Sequence, residues 1–248
     1  MTSILITGAT GTIGTNLTRH LKDRYDLVLA DIDFSSFPEE LMDRVTLVEK
    51  DLTKLESWEG LLDGVDYVIQ LAGNPDAEAD FYEELVAMNY FLPQNLYKYT
   101  TESTTLKRII FASSIHASDA YPKNVQVKTT DQNRPADLYG VSKVYLEALA
   151  SYYAFTKGVE SIGIRIGDYK ADDSELDPDS DSYGMSMYFS ARDMNHLIDC
   201  CLEAELEEPY LLVNGLSNNT FPRLDIDSAR VKLGYQPQDN AFEKLGKL

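Results

Sequence analysis

The chain has 248 residues, longer than a usual domain but within what one doubly wound sheet with a small appendage absorbs. Acidic residues outnumber Lys and Arg by 41 to 22, and the net charge of −19 excludes a nucleic-acid partner, because no basic surface is left to offset a phosphate backbone. At 44% hydrophobic the composition is that of an ordinary globular protein, and no apolar run reaches the length of a membrane span, which excludes a membrane-embedded role.

The first eleven residues carry no basic leader and reach a glycine after seven, so Ser3–Thr7 reads as a first strand and not as a signal peptide. The pattern then predicts a helix over 12–23, strands over 27–31, Val45–Glu49 and 65–71, a long helix over 80–102, and a strand over 108–113. A helix over 139–157 closes at Gly158, and 159–166 is a sixth strand. Strands this apolar have no wet face, so the alternation predicts an α/β fold, a Rossmann-type doubly wound parallel sheet with helices on both sides. Residues 168–182 are acidic and poor in hydrophobics, which reads as a loop or lid. Ser190-Ala-Arg-Asp193 is a capping box that opens a helix ending near 205, followed by a strand over 210–214 and a short helix over 225–233. Cys200 and Cys201 are the two cysteines; neighbours on a helix face apart, so they read as reduced thiols of a cytoplasmic protein. No repeat or linker divides the chain. It reads as one NAD(P)-binding domain over 1–248, with 167–189 and 216–248 a small substrate-side appendage.

The segment Gly8-Ala-Thr-Gly11-Thr12-Ile13-Gly14 follows an apolar strand and opens a helix. Glycines there permit a tight turn and let backbone N–H groups approach a pyrophosphate at the positive end of the helix. The bland alternative is a strand-to-helix turn with no ligand. Asp31 closes the second strand, where a carboxylate accepts hydrogen bonds from ribose hydroxyls and repels a 2′-phosphate. No Arg or Lys stands beside it in Ala30-Asp-Ile-Asp-Phe34, which favours NAD over NADP; an exposed strand-end acid is the other reading.

Tyr139-Gly-Val-Ser-Lys143 places a phenol and an ammonium four residues apart on one helical face. A free tyrosine titrates near pH about 10, and a neighbouring ammonium favours its phenolate, the form that takes a hydroxyl proton while hydride leaves the carbon. Ser114 ends the strand that precedes this unit, at the edge where ligands of such sheets bind, and is suited to hold the substrate oxygen.

Taken together, GATGTIG, Asp31, Asp51-Leu52, Leu71-Ala-Gly73, Asn89, FASS and YGVSK resemble the extended short-chain dehydrogenase/reductase superfamily, in its NAD-dependent epimerase/dehydratase group. The later SARDMNHLIDCCLEA, YLLVNGLS and DSARVKLGYQP fit the same pattern, so the resemblance spans the chain. It implies Ser114, Tyr139 and Lys143 as the catalytic side chains. It also implies a cofactor site of the glycine turn, Asp51 and Leu52 at the adenine, and Leu71, Ala72 and Gly73 at the nicotinamide-side ribose. Asn89 either places a relay water or satisfies backbone groups of its own helix. By the same resemblance the helices over 80–102 and 139–157 pair across the interface of a homodimer or higher homo-oligomer.

Within that group, Ile110-Phe-Ala-Ser-Ser-Ile-His116, Leu138-Tyr-Gly-Val-Ser-Lys143 and Arg165-Ile-Gly167 are similar to the uronate dehydrogenases, which oxidise the anomeric carbon of uronates. The resemblance implies a small unconjugated sugar or sugar acid as substrate. There are departures. Ile115 replaces an Asn, Asp168 stands where that family has Ser and repels a carboxylate, and the family's carboxylate-binding Arg falls near Gly184. A neutral sugar and a uronate therefore both stay open. His116 either bonds a substrate hydroxyl or fills a polar pocket, and Arg165, inside a strand, reads as structural. The run Asp177-Pro-Asp-Ser-Asp181 lacks the Gly and Glu of an EF-hand, and three dispersed His make no zinc set, so no metal is expected. A dehydrogenase leads. An epimerase that reuses its NAD and a dinucleotide sensor without chemistry are the alternatives.

Overall fold

In the computed structural model, which describes residues 1–247, Leu248 at the end of the predicted appendage lies outside the described residues. The chain runs β1 (Ser3–Thr7), α1 (Thr12–Leu21), β2 (Asp26–Asp31), β3 (Val45–Glu49), β4 (Tyr67–Gln70), a π-wound segment Phe81–Phe91, α2 (Leu92–Thr100), β5 (Arg108–Ser114), α3 (Leu138–Lys157) and β6 (Glu160–Ile166). The last third adds β7 (Asp168–Lys170), α4 (Ser182–Ser186), β8 (Tyr188–Ser190), α5 (Ala191–Glu203), β9 (Tyr210–Gly215), α6 (Asp227–Leu233) and α7 (Ala241–Lys244). Seven strands form one parallel sheet in the order β3-β2-β1-β4-β5-β6-β9, and β7 pairs with β8 in a small second sheet. The strand order reverses between β1 and β4. That switch point opens a crevice at the carboxyl ends of the strands, where ligands of such sheets bind.

Strand alternation explains the two faces. In β1, Ile4 and Ile6 bury against Leu17 and Leu21 of α1 and Leu197 and Ile198 of α5, while Leu5 faces Leu96 of α2 and Leu146 and Ala150 of α3. All three β1 residues are fully buried, each contributing on the order of 1.5–3 kcal/mol. Two smaller clusters sit on the appendage: Ile115, Val127, Leu216, Leu224 and Ile226, and then Met185, Tyr188, Ala241 and Phe242. They tie the 121–131 loop and the C-terminal turn to the sheet edge. No helix among the described residues is long and apolar enough to cross a membrane.

Three local expectations need correction. The predicted single helix over 80–102 is wound as a π-helix through Phe81–Phe91 before α2 begins. Pro93 is the physical reason, since it donates nothing to the carbonyl four residues back and its ring crowds that carbonyl; a wider turn upstream relieves both. The acidic 168–182 stretch is not all loop, because β7 pairs in parallel with β8 and Asp172 caps a short turn by accepting from Ser174 N. The capping box of α5 is half made. Ser190 accepts from Asp193 N at 3.1 Å, but Asp193 spends its carboxylate on Gln238 N and Asp239 N, anchoring the C-terminal segment.

Candidate active site

A cleft of about 880 Å³ lies at the carboxyl ends of β1, β4, β5 and β6. Its floor is the glycine turn. Gly8 has φ +70°, and a Cβ there would lie 2.7 Å from Ala72 N; a Cβ at Gly14 would lie 2.3 Å from the Gly8 carbonyl oxygen. Both glycines are steric requirements of the close approach of α1 to β1 and β4. Gly11 caps α1 with no side-chain acceptor, and no acid stands in the first turn, so the N–H groups of Thr12, Ile13 and Gly14 present the positive helix end to the cleft. An anion fits there.

Asp31 closes β2 at the cleft rim. Its Oδ2 accepts from Thr10 N and Thr10 Oγ1, both at 2.9 Å, and Oδ1 accepts from Ile32 N at 2.8 Å. A carboxylate offers about four acceptor sites, so this one is held in orientation by the glycine turn and keeps capacity for a ribose hydroxyl. Leu71, Ala72 and Gly73 line the opposite wall. These residues fit a dinucleotide pyrophosphate and ribose.

Three residues carried over by resemblance lie outside the cleft lining. Asp51 turns its Oδ1 to Thr53 N and Thr53 Oγ1, and the Thr53 hydroxyl holds its carboxyl below the usual range. Leu52 is buried, with its carbonyl accepting from Trp58 Nε1. Asn89, also buried, accepts from Asn74 N at 2.8 Å and donates to Asn74 O and Ser142 Oγ, both at 2.9 Å. It clamps the loop after β4 to α3, and so satisfies the backbone of another segment rather than of its own helix. A Cβ at Gly73 would lie 3.3 Å from Asn89 Oδ1, so glycine there admits the clamp.

On the chemical side, Ser114 ends β5, and Tyr139 and Lys143 stand one turn apart on α3. Asp137 seats that helix: Oδ1 accepts from Gly140 N at 2.6 Å, and Oδ2 meets His116 Nδ1 at 2.7 Å. A Cβ at Gly140 would lie 2.3 Å from the His116 carbonyl oxygen, so glycine after Tyr139 lets α3 press against the turn that follows Ser114. Lys143 Nζ donates to Ala112 O at 2.9 Å and lies 5.3 Å from the Tyr139 ring centroid. Ser114 Oγ accepts from His116 N at 3.2 Å, leaving its proton for another oxygen. His116 meets Tyr139 edge-on with ring centroids 5.3 Å apart, and both line the cleft. The structure thus brings Ser114, His116, Tyr139 and Lys143 together. Asp168 joins the same lining, 3.0 Å from Lys170 Nζ.

Several participants were not singled out from the sequence. Glu147, a further turn along the Tyr139–Lys143 face, is buried and accepts from Ser113 Oγ at 2.6 Å and from Arg165 Nε and Nη2, both at 2.8 Å. Asn133 accepts from Arg165 Nη2 as well. This pair fixes the Tyr139–Lys143 face of α3 to β5 and β6. The helical spacing of Tyr139, Lys143 and Glu147 was the available signal. Asp119, Glu175 and Tyr183 also line the cleft. So does Tyr169, whose hydroxyl is buried without an acceptor among the described residues; burial pushes it up to about 12, which keeps it a neutral donor.

Fold and cleft define a Rossmann-type dinucleotide-binding protein. Residues 4–171 match the model of the NAD dependent epimerase/dehydratase family, and the chain belongs to that family, with NAD as its cofactor. It is similar to the NAD-dependent glucose-6-phosphate dehydrogenase of Haloferax volcanii, 33% identical over 97% of this chain and 94% of the relative. It is also similar to the L-arabinose 1-dehydrogenase (NAD(P)(+)) of the same organism, 28% identical over 97% of this chain and 98% of the relative. Among solved structures, a mutant uronate dehydrogenase from Agrobacterium tumefaciens complexed with NAD superposes with a TM-score of 0.83 at 29% identity, covering 98% of this chain and 88% of that one.

Proposed function

We propose that the protein is an NAD-dependent sugar dehydrogenase that oxidises a hydroxyl of a small, unconjugated sugar, with C1 as the reacting carbon. The observation that carries this reading is the meeting of Ser114, Tyr139 and Lys143 in the cleft floored by the glycine turn. Relatives of nearly the same length act on glucose 6-phosphate and L-arabinose by their names, which supports a free or singly modified sugar over a nucleotide sugar.

Ser114 donates its free proton to the substrate oxygen and holds it against Tyr139. Tyr139 takes the hydroxyl proton as the carbon gives up hydride. Lys143, fixed by Ala112 O, sets a positive charge 5.3 Å from the Tyr139 ring centroid, beside the site of proton transfer. NAD, when bound, supplies the hydride acceptor. His116, oriented by Asp137, presents its other ring nitrogen toward the sugar hydroxyls. Asp31 holds the adenosine ribose, the N-terminus of α1 receives the pyrophosphate, and Ala72 and Gly73 border the nicotinamide-side ribose. Asp51, whose Oδ1 is held by Thr53, keeps Oδ2 for the adenine edge, Leu52 borders the adenine by shape, and Asn89 acts by holding the Asn74 loop.

The test is an initial-rate screen at the nicotinamide absorbance band with NAD and a panel of aldoses, uronates and sugar phosphates. Net NADH formation with one of them supports a dehydrogenase. Isomerised sugar with no net NADH assigns an epimerase instead, and NAD binding without turnover of any sugar assigns a sensor.

The same reading includes a cytoplasmic homodimer. Free thiols at Cys200 and Cys201 support a reducing compartment. Phe91, Tyr152 and Phe155, each more than half exposed on the π-wound segment and α3, support pairing of those helices between copies. Sedimentation at micromolar concentration is expected to give a dimer that Phe155→Glu weakens; a wild-type monomer contradicts the pairing.

A further inference from the structure

Beside the cleft, across Tyr183, lies a second cavity of about 530 Å³. Tyr183 belongs to both walls. Its hydroxyl donates to Asp119 Oδ1 at 2.7 Å on the cleft side, and its ring lies under two cations, with Lys123 Nζ 4.5 Å and the Arg223 guanidinium carbon 5.7 Å from the centroid. No carboxylate among the described residues pairs with either.

Arg223 is 3% exposed. Its Nη1 donates to Pro122 O at 3.0 Å and to Val125 O, and its Nη2 to Tyr121 O at 2.9 Å, so it fixes the turn that carries Lys123. Its Nε is buried with no acceptor among the described residues. Carbonyl dipoles offset part of the cost of burying that charge, and an arriving anion offsets the rest. Lys123, exposed on the same turn, has three donors and no acceptor within hydrogen-bond distance among the described residues.

The geometry points to an anion subsite formed by Lys123, Tyr183 and Arg223 that takes the phosphoryl group of a phosphorylated sugar whose ring occupies the cleft. This rests on the sugar dehydrogenase reading and extends it to a substrate class. The cleft itself is lined by Asp119, Asp168 and Glu175, which accept sugar hydroxyls and repel a carboxylate carried directly on the ring. Lys123 and Arg223 line the neighbouring cavity, which shares Tyr183 with the cleft, whereas Asp119, bonded to the Tyr183 hydroxyl, lines the cleft; an anion carried on an arm of the sugar is the one placed to meet the cations. A phosphate ester on an exocyclic carbon supplies such an arm, and its double charge matches two cations.

The experiment compares kcat/KM with NAD for a hexose 6-phosphate, the parent hexose and the corresponding uronate, in the wild type, Lys123→Ala, Lys123→Arg and the surface control Lys157→Ala. The wild type is expected to prefer the phosphate over both others by on the order of tenfold or more. Lys123→Ala is expected to reduce that preference by about tenfold through KM, Lys123→Arg to restore most of it, and Lys157→Ala to leave it alone. Equal turnover of phosphate and parent hexose, or a preference insensitive to Lys123→Ala, overturns the subsite while the dehydrogenase reading stands. Calorimetric titration with inorganic phosphate runs in parallel and does not depend on turnover. Binding weakened by Lys123→Ala supports the subsite even if no sugar reduces NAD, and no binding, or binding indifferent to the substitution, overturns it.

Discussion

Replacing Glu147 by glutamine should damage both stability and turnover, although Glu147 does not line the cleft. Side-chain exposure is 5% for Glu147 and 1% for Arg165, so neither charge has recourse to solvent. The carboxylate accepts from Arg165 Nε, Arg165 Nη2 and Ser113 Oγ. Glutamine removes the negative charge and turns one of two acceptors into a donor facing a donor. Breaking a buried pair by removing one partner costs about 3–5 kcal/mol, because the remaining charge is left uncompensated. For a chain of this size each kcal/mol shifts Tm by about 2–4 °C, so calorimetry should record a fall of roughly 6–20 °C. Tyr139, Lys143 and Glu147 share one face of α3, so loosening that face displaces the phenol from Ser114, and a misplacement near 1 Å costs on the order of 10²-fold in kcat. Both effects should appear together, with kcat measured well below the new Tm. A Tm within about 2 °C of wild type would refute the assignment of Glu147 as the anchor of the reactive helix face.

Asp31→Ser should raise the NADP-to-NAD ratio of kcat/KM by at least about tenfold, since the carboxylate at the ribose position repels a 2′-phosphate; an unchanged ratio places cofactor choice elsewhere. Asp239 bears on acid stability. Its burial works to raise its pKa, but hydrogen bonds from Ser190 and Lys244 and the charges of Lys244 and Arg192 prevail and hold it below the ordinary 3.8. A depressed carboxylate contributes stability that is fully present above the unfolded-state value and is lost as pH falls through the folded-state value. Asp239→Asn should therefore be less stable than wild type at neutral pH, with the gap narrowing below about pH 4; a gap constant with pH contradicts the role given to these contacts.

What could be read from the sequence was local. The β1 and β5 strands, the glycine turn and the Tyr139–Lys143 spacing announce themselves through continuous apolar runs, glycine spacing and period-four spacing, and the structure brings these pieces to one cleft. Glu147 was visible as one more step of the same helical period, but nothing local says that Arg165, on the strand after α3, lies beneath it. The π-winding at Phe81–Phe91 required setting Pro93 against the carbonyl four residues earlier. The Tyr183 wall joins residues from the 119–125 turn, α4 and the segment after β9, which are close only once the appendage folds onto the sheet edge. Asp51, Leu52 and Asn89 came by resemblance, and a resemblance carries a position without saying how its side chain is engaged.

The central claim is that Tyr139 does the proton chemistry in a cleft that binds NAD independently of it. Tyr139→Phe, which keeps the ring and removes one oxygen, tests this most directly when kcat with the preferred sugar is measured beside NAD affinity by fluorescence titration. The account predicts a kcat lower by about 10²–10⁴-fold with NAD affinity within a few-fold of wild type. A variant that retains most of its turnover, or one whose loss is accounted for by lost NAD binding, would contradict it.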